Sequence, residues 1–216
     1  MRMPTDFDFR EYDAIAVRAS VAVVDQVTAD DLDRRTPCAE WDLRALLAHM
    51  TGQHHGFAAA AEGNGADQAV WRPVGSADPV GDYAKAAERV LAAFAAPDVP
   101  QRPFDLPELG LTIPGAVAIS FHFIDYVVHG WDVAATLGRP YELPDDVLRA
   151  AVPVADSVPT GARRQAPGAA FAPPLEPGLE FGAEPRPERP IDDDPLAHIL
   201  RFLGRSPNFN KQDLGR

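Results

Sequence analysis

The sequence predicts an all-α protein built as a helix bundle. Several segments repeat apolar residues at helical spacing, and segments rich in Pro, Gly and Asn separate them. No run alternates apolar and polar residues convincingly enough to predict a strand. Amphipathic helices joined by loops bury their apolar faces against one another, so the α/β fold classes are disfavoured.

The first two predicted helices lie on either side of the segment TPCAEW. The first extends from Phe7 to about Val27, and its apolar residues at helical spacing include Tyr12, Ile15, Val17, Val21 and Val24. The second extends from Leu43 to about Ala61, and Asp42 is a suitable N-cap because its carboxylate can accept from a first-turn N–H. One face of this helix carries Leu43, Leu46, Leu47, Met50, His54 and Phe57.

The third and fourth helices follow a loop over residues 63–75. The third is predicted from Val80 to Ala96, with Tyr83, Ala86, Val90, Leu91 and Phe94 at helical spacing. For the fourth, Thr112 is the predicted cap and Pro114 is placed in the first turn, where a missing N–H costs little. This helix is expected to continue to Leu137 and to end at Gly138.

The C-terminal part of the chain has a different composition. A fifth helix is predicted at about 145–154, but residues 159–190 contain eight prolines, which nearly exclude regular helix and predict a linker or an extended strap. The segment DDDPLAHILRFLGRSP then predicts a short closing helix. We therefore expect a bundle over residues 1–155 and, over 156–216, a Pro-rich strap and a short C-terminal helix packed on it.

Composition excludes several classes of protein. The formal net charge of -12 argues against nucleic acid as a partner, because phosphate binding needs clustered Lys and Arg. No apolar run is long enough for a membrane span, so no membrane partner is expected. The single cysteine, Cys38, cannot form an internal disulfide, and the N-terminus has no apolar signal segment. These features favour a cytoplasmic protein.

A stripe of polar side chains lies on the otherwise apolar fourth helix. At about 100° per residue, His122, Asp125, His129 and Asp132 fall within an arc of roughly 80°. Burying them without partners would be costly, whereas an Asp and a His four residues apart can bind one cation. His49, in the middle of the second helix, is the candidate ligand from a facing helix. Two histidines and one carboxylate leave coordination positions open and suit Zn²⁺, with Ni²⁺ or Fe²⁺ as alternatives.

Spacing alone leaves other interpretations open. His122 lies on the same stripe as His129 and is an alternative ligand. His54 competes with His49 as the ligand from the second helix, although the position of His54 on the apolar face of that helix favours a core histidine. The stripe is also compatible with a solvated face or with a hydrogen-bonded buried network that holds no metal.

Three blocks in order carry a resemblance to a known family. The strings TPCAEWDLRALLAH, DYVVHGWDVAATLG and ILRFLGRSP resemble the actinobacterial metal-binding family that includes the mycothiol-dependent maleylpyruvate isomerases, within the DinB superfamily. The resemblance implies an up-down-down-up four-helix bundle that holds one divalent metal ion. It also implies the ligands, namely the His that closes WDLRALLAH, which is His49, and the pair Asp125 and His129 in DYVVHGWD.

One residue departs from the family pattern. Members similar to the isomerases usually have Glu where this chain has Asp125. The shorter Asp would have to draw the helix closer, bind through water, or cede its place to His122. Asp132 and Trp131 are expected to orient a ligand or to pack rather than to bind metal. Cys38 is expected to be a small buried hydrophobe, because the reacting thiol in the family is thought to come from the cosubstrate.

The resemblance and the open site together predict a metal-dependent enzyme. We expect it to use a low-molecular-weight thiol, mycothiol, as cosubstrate in a transferase or isomerase reaction on a small electrophile, with the metal stabilising the thiolate. Arg139 and Arg205 are candidates for holding polar groups of a substrate at the site. Bundles of this type often pair, so a homodimer is a further expectation.

Two other functions stay open. In one, the metal or a polar network stabilises a non-catalytic helical module that binds a partner. In the other, the protein is a metal-dependent hydrolase that uses metal-bound water, and it would turn over substrate without any thiol.

Overall fold

The described part of the chain is mostly helical, as predicted. The computed structural model describes residues 7–38, 41–159, 164, 171–175 and 194–209. The helices are α1 (Arg10–Val24), α2 (Leu43–Ala61), α3 (Pro79–Phe94), α4 (Gly115–Leu137), α5 (Asp145–Ser157) and α6 (Pro195–Phe202). Between α3 and α4 the strands β1 (Pro103–Leu106) and β2 (Leu111–Pro114) form an antiparallel pair.

Two helix pairs enclose the core. α1 packs along α4 and α2 packs along α3, while α1 also touches α3 and α2 also touches α4. Val17 of α1, Leu47 of α2 and Val127 of α4 are completely buried, and each such side chain stabilises the fold by roughly 1.5–3 kcal/mol. Two polar groups inside the core pair with each other, since the hydroxyls of Ser20 and Tyr83 share a hydrogen bond of 2.6 Å.

The predicted start of α2 and the predicted end of α4 are confirmed, and each is defined by a capping residue. α2 spans Leu43–Ala61, and the Asp42 carboxylate accepts a 2.8 Å hydrogen bond from the backbone N–H of Ala45. α4 ends at Gly138, which has a φ of 67° in the left-handed region that glycine adopts without steric cost. These two boundaries belong to the helices that carry His49 and the polar stripe of α4.

The expectation of no strands, and of Thr112 as the cap of α4, was wrong. Thr112 lies in β2 opposite Asp105, and its hydroxyl donates to that carboxylate at 2.6 Å. Pro114 is the N-cap residue with an extended ψ of 142°, so it precedes the first turn of α4. Each strand has only four residues, too few for an alternating pattern to be distinguished from a loop.

The closing helix docks on the preceding one. α5 continues to Ser157 and α6 packs against it, with Asp194 capping α6 through the N–H of Ala197. Most of the predicted strap over residues 159–190 lies outside the described residues. The division of the chain at residue 155 therefore stays a prediction.

The described helices do not include a membrane span. None of them combines the length and the apolar character that crossing a bilayer requires. α4 is the longest at 23 residues, and it carries two aspartates and two histidines in its middle and last turns.

Candidate metal centre

His49 lies on α2, and an aromatic side chain packs against its ring. The ring of Trp41, just before the helix, lies 4.5 Å from the His49 ring between centroids. The Nε2 atom of His49 is buried and has no hydrogen-bond partner within the described residues. A buried imidazole nitrogen without a partner is costly unless something else binds it.

Asp125 and His129 lie one turn apart on α4. The Asp125 carboxylate is 3.4 Å from Nε2 of His129, and its side chain is 13% exposed while that of His129 is fully buried. The His129 Nε2 atom also has no hydrogen-bond partner in the part of the chain that the structure describes. Spacing of four residues puts both side chains on the same face of the helix.

The structure brings the three predicted ligands together. One potential ligand atom from each of His49, Asp125 and His129 lies within 4.8 Å of the other two. The two imidazole rings meet edge to face with centroids 5.3 Å apart. Two buried, partnerless imidazole nitrogens beside a carboxylate form a donor set that fits a divalent ion with open coordination positions.

The protonation state of His49 suits a metal ligand. Burial and, to a smaller extent, the nearby His129 lower its pKa to about 4, with Asp125 partly opposing the shift. At neutral pH the ring is therefore uncharged, which is the form that coordinates metal.

A buried ion pair holds the His129 ring in place. Nδ1 of His129 donates to the Asp132 carboxylate at 2.9 Å, which leaves the Nε2 lone pair directed at the cluster. Asp132 is completely buried, and Arg205 donates to it through Nη2 at 3.2 Å and Nε at 3.4 Å. Burial alone would raise the pKa of Asp132, but Arg205 and the His129 hydrogen bond lower it overall. The carboxylate is therefore ionised at neutral pH and can hold the imidazole.

The structure places His122 and His54 in a separate buried network. His122 Nδ1 donates to the Asp13 carboxylate at 2.6 Å, and its Nε2 lies 3.1 Å from Nδ1 of His54. The ring of Tyr126 stacks on that of His54 with centroids 4.0 Å apart. Neither histidine belongs to the group around His49. Both ring nitrogens of His122 have core hydrogen-bond partners, whereas His54 is held through Nδ1 and its buried Nε2 has no partner among the described residues.

Asp13 was missed as a functional candidate, although a signal for it exists. It occupies the buried face of α1 with Ala16, Val17 and Ser20, at spacings of three and four residues. An acid on an apolar helix face predicts a buried partner. Which partner it meets depends on how α1 packs on α4.

The other residues singled out from the sequence do not belong to the group of three candidate ligands. Arg139 is exposed just after α4, and Arg205 is 2% exposed against Asp132 rather than at a site mouth. Cys38 is half-buried before α2, and Trp131 is partly buried against the core.

A cavity of about 460 Å³ opens beside His49 and Asp125. Its walls come from α2, the hairpin, α4, the end of α5 and Phe171. This volume is in the range of small-molecule sites. The geometry therefore joins a candidate metal centre to a space that can hold a substrate.

The buried histidines predict a loss of stability in weak acid. Burial lowers the pKa of His54 well below its usual value, and that of His49 to about 4. Below about pH 6.5 the unfolded chain binds protons that the folded chain does not. The free energy of unfolding of the metal-free protein should therefore fall as pH falls, by up to about 1.4 kcal/mol per pH unit for each histidine.

Urea unfolding between about pH 7 and pH 5 tests this expectation, because carboxylates with lowered pKa values titrate below that window. His54→Gln removes one of the two groups and should flatten the slope by about half. A slope in the variant equal to that of the wild type would contradict the assignment of His54.

Comparisons with known proteins place the chain in a family. The profile of the mycothiol maleylpyruvate isomerase N-terminal domain matches residues 14–134, a stretch that begins within α1 and ends in the last turn of α4. Two proteins of Mycobacterium tuberculosis, the uncharacterized protein Rv0738 of strain H37Rv and the uncharacterized protein MT0763 of strain CDC 1551, are each 30% identical over 189 residues, which cover 87% of this chain and 92% of theirs. No solved structure gives a significant match. The chain therefore belongs to the mycothiol maleylpyruvate isomerase N-terminal domain family.

Proposed function

We propose that the protein is a divalent-metal-dependent enzyme that uses a low-molecular-weight thiol, mycothiol, to attack a small electrophile in a transferase or isomerase reaction. The observation that carries this proposal is the pair of buried, partnerless Nε2 atoms of His49 and His129 beside Asp125, at the wall of a cavity. Family membership supports mycothiol as the thiol.

His49, Asp125 and His129 would hold the ion. When bound, a Zn²⁺, Ni²⁺ or Fe²⁺ ion supplies Lewis-acid stabilisation of a thiolate at neutral pH. Asp132 holds the proton on Nδ1 of His129 and so keeps the Nε2 lone pair available. The low pKa of His49 keeps its ring uncharged. Metal binding therefore needs no proton release from His49 at neutral pH.

The chain also provides an apolar space for the reaction. The rings of Phe57, Trp71, Phe121 and Phe171 line the cavity beside the ligands. In such surroundings electrostatic interactions are stronger than in bulk water. A thiolate formed there would lose part of its hydration, which favours nucleophilic attack.

We further infer that α1–α4 form the up-down-down-up bundle, because α1 pairs with α4 and α2 pairs with α3 while the two pairs also touch. His49 on α2 then faces the stripe of α4 across the bundle interior. A reaction that consumes a reduced thiol requires a reducing compartment, so we place the protein in the cytoplasm.

The test measures metal and thiol dependence together. The full chain is purified, its metal content is determined by elemental analysis, and 1-chloro-2,4-dinitrobenzene is offered with and without mycothiol. We expect conjugation only when both metal and mycothiol are present, with loss after chelation and recovery on adding Zn²⁺. Turnover without thiol would identify a hydrolase instead, and stoichiometric metal with no turnover would identify a non-catalytic module.

A further inference from the structure

Most of the side chains that line the cavity beside the candidate metal centre are apolar. Four aromatic rings contribute, those of Phe57, Trp71, Phe121 and Phe171. Leu109, in the turn of the hairpin, also lines it and is 48% exposed, so apolar surface continues to the opening. A ligand that fills this space gains by transferring apolar surface out of water.

The charged groups among the described lining residues are acidic. They are Asp125 and Glu108, and no Lys or Arg belongs to that part of the lining. The Gln53 amide, which could otherwise donate to a substrate, donates to the Glu108 carboxylate at 3.2 Å. The two charges of a bound divalent ion would be balanced by Asp125 and the thiolate, so a carboxylate entering here would meet Glu108 and would lose hydration without gaining a Lys or Arg partner among the described lining residues.

Two arginines near the cavity already serve other groups. Arg164 donates to the backbone carbonyls of Pro159 and Val158, which belong to the wall, and burial lowers its pKa to about 10. Arg205 is buried against Asp132 beneath the His129 ring. Both guanidinium groups therefore contribute to structure in the described protein.

We propose that the electrophile this site accepts is a neutral small molecule with an aromatic or otherwise apolar body, and that anionic electrophiles are disfavoured. This substrate class rests on the proposed thiol-dependent function. Maleylpyruvate, which the family name includes, carries two carboxylates at neutral pH. Its charges would face Glu108, with no Lys or Arg among the described lining residues. The chain thus combines the metal ligands that the family resemblance implies with a cavity suited to a substrate other than maleylpyruvate.

A matched pair of probes separates charge from shape. Methyl 4-chloro-3,5-dinitrobenzoate is neutral, and the corresponding free acid is an anion at neutral pH. With either probe, the thiol sulfur forms a bond to the chlorine-bearing ring carbon, chloride leaves with the electron pair of the C–Cl bond, and the thiol proton passes to solvent. The two probes therefore undergo the same reaction and differ in one charge and one methyl group. Because the ester group also activates the ring more strongly than the carboxylate does, each enzymatic rate is divided by the rate of the same probe with the thiol alone.

Binding is measured first on the metal-free full chain by isothermal titration calorimetry. We expect the methyl ester to bind at least about tenfold more tightly than the acid, since an apolar cavity disfavours a carboxylate. With metal and mycothiol present, kcat/KM for conjugation should favour the ester by a similar factor.

Reversing the charge of Glu108 tests whether the acidic lining causes the preference for the ester. Glu108 is exposed in the hairpin turn, so Glu108→Lys should fold normally and should lower the ester-to-acid preference by about tenfold, because a cation replaces an acid in the lining. Glu88→Lys makes the same change on the exposed side of α3, outside the cavity lining, and should leave the preference unchanged. An equal effect of both variants would indicate overall charge and would overturn the assignment.

The two proposals fail in different ways. Turnover of both probes at equal rates, or tighter binding of the acid, would overturn the substrate class and leave the thiol-dependent function standing. Selective binding of the ester with no conjugation would support the substrate class for this cavity and overturn the proposed activity.

Discussion

His129→Ala is expected to reduce the bound metal from about one ion per chain to less than about one-tenth, because it removes a ligand from a set of only three protein donors. His129 contributes the Nε2 atom that has no other partner among the described residues, and its Nδ1 is already held by Asp132. Its loss also leaves the Asp132 carboxylate without one of its donors. The measurement is elemental analysis of purified protein, with circular dichroism to verify that the helices persist.

The matched variants identify the remaining ligands. His49→Ala should lose metal to the same extent, and Asp125→Ala should bind it more weakly. His122→Ala should retain metal, because His122 hydrogen-bonds Asp13 and faces His54 instead. Loss of metal in the His122 variant together with full retention in the Asp125 variant would reassign the acidic ligand and overturn the proposed set.

Arg205→Met is expected to lower the free energy of unfolding by about 3–5 kcal/mol, the usual cost of removing one partner from a buried ion pair. Arg205 is 2% exposed and Asp132 is completely buried, so water cannot replace the guanidinium. The variant would leave an ionised carboxylate held only by His129. Urea unfolding of the metal-free protein at neutral pH gives the change directly.

Two further variants separate the ion pair from simple loss of packing. Arg149 pairs with Asp145 at the surface with both side chains more than half exposed, so Arg149→Met should cost less than about 1 kcal/mol. Combining Arg205→Met with Asp132→Asn removes the stranded charge and should restore part of the stability. A double variant as unstable as the sum of the single ones would show that the pair has no coupling energy.

The helices could be predicted well because their signals are local. Apolar spacing and the side chain of Asp42 define α2, and the conformational freedom of Gly138 defines the end of α4. The hairpin before α4 could not be predicted in this way. Its strands are four residues long, and their pairing depends on a turn at 107–110 in which Gly110 has a φ of 65°.

The candidate site could be predicted only partly. The spacing of Asp125 and His129 on one helix is a local property, but the choice of His49 over His54 came from family resemblance. In the structure the choice follows from packing, since His54 meets His122 and the ring of Tyr126 within the core. The role of Arg205 depends on where α6 docks, and no local pattern in the sequence reports that.

The chain of contacts from Arg205 through Asp132 to His129 joins the segment after α6 to the candidate metal centre. Any ligand that binds more tightly when His129 is correctly oriented must, by thermodynamic reciprocity, strengthen the attachment of the segment that bears Arg205 by the same factor. Under the proposed function, resistance of this segment to proteolysis would therefore rise with metal occupancy, and Arg205 would take part in ion affinity without being a ligand.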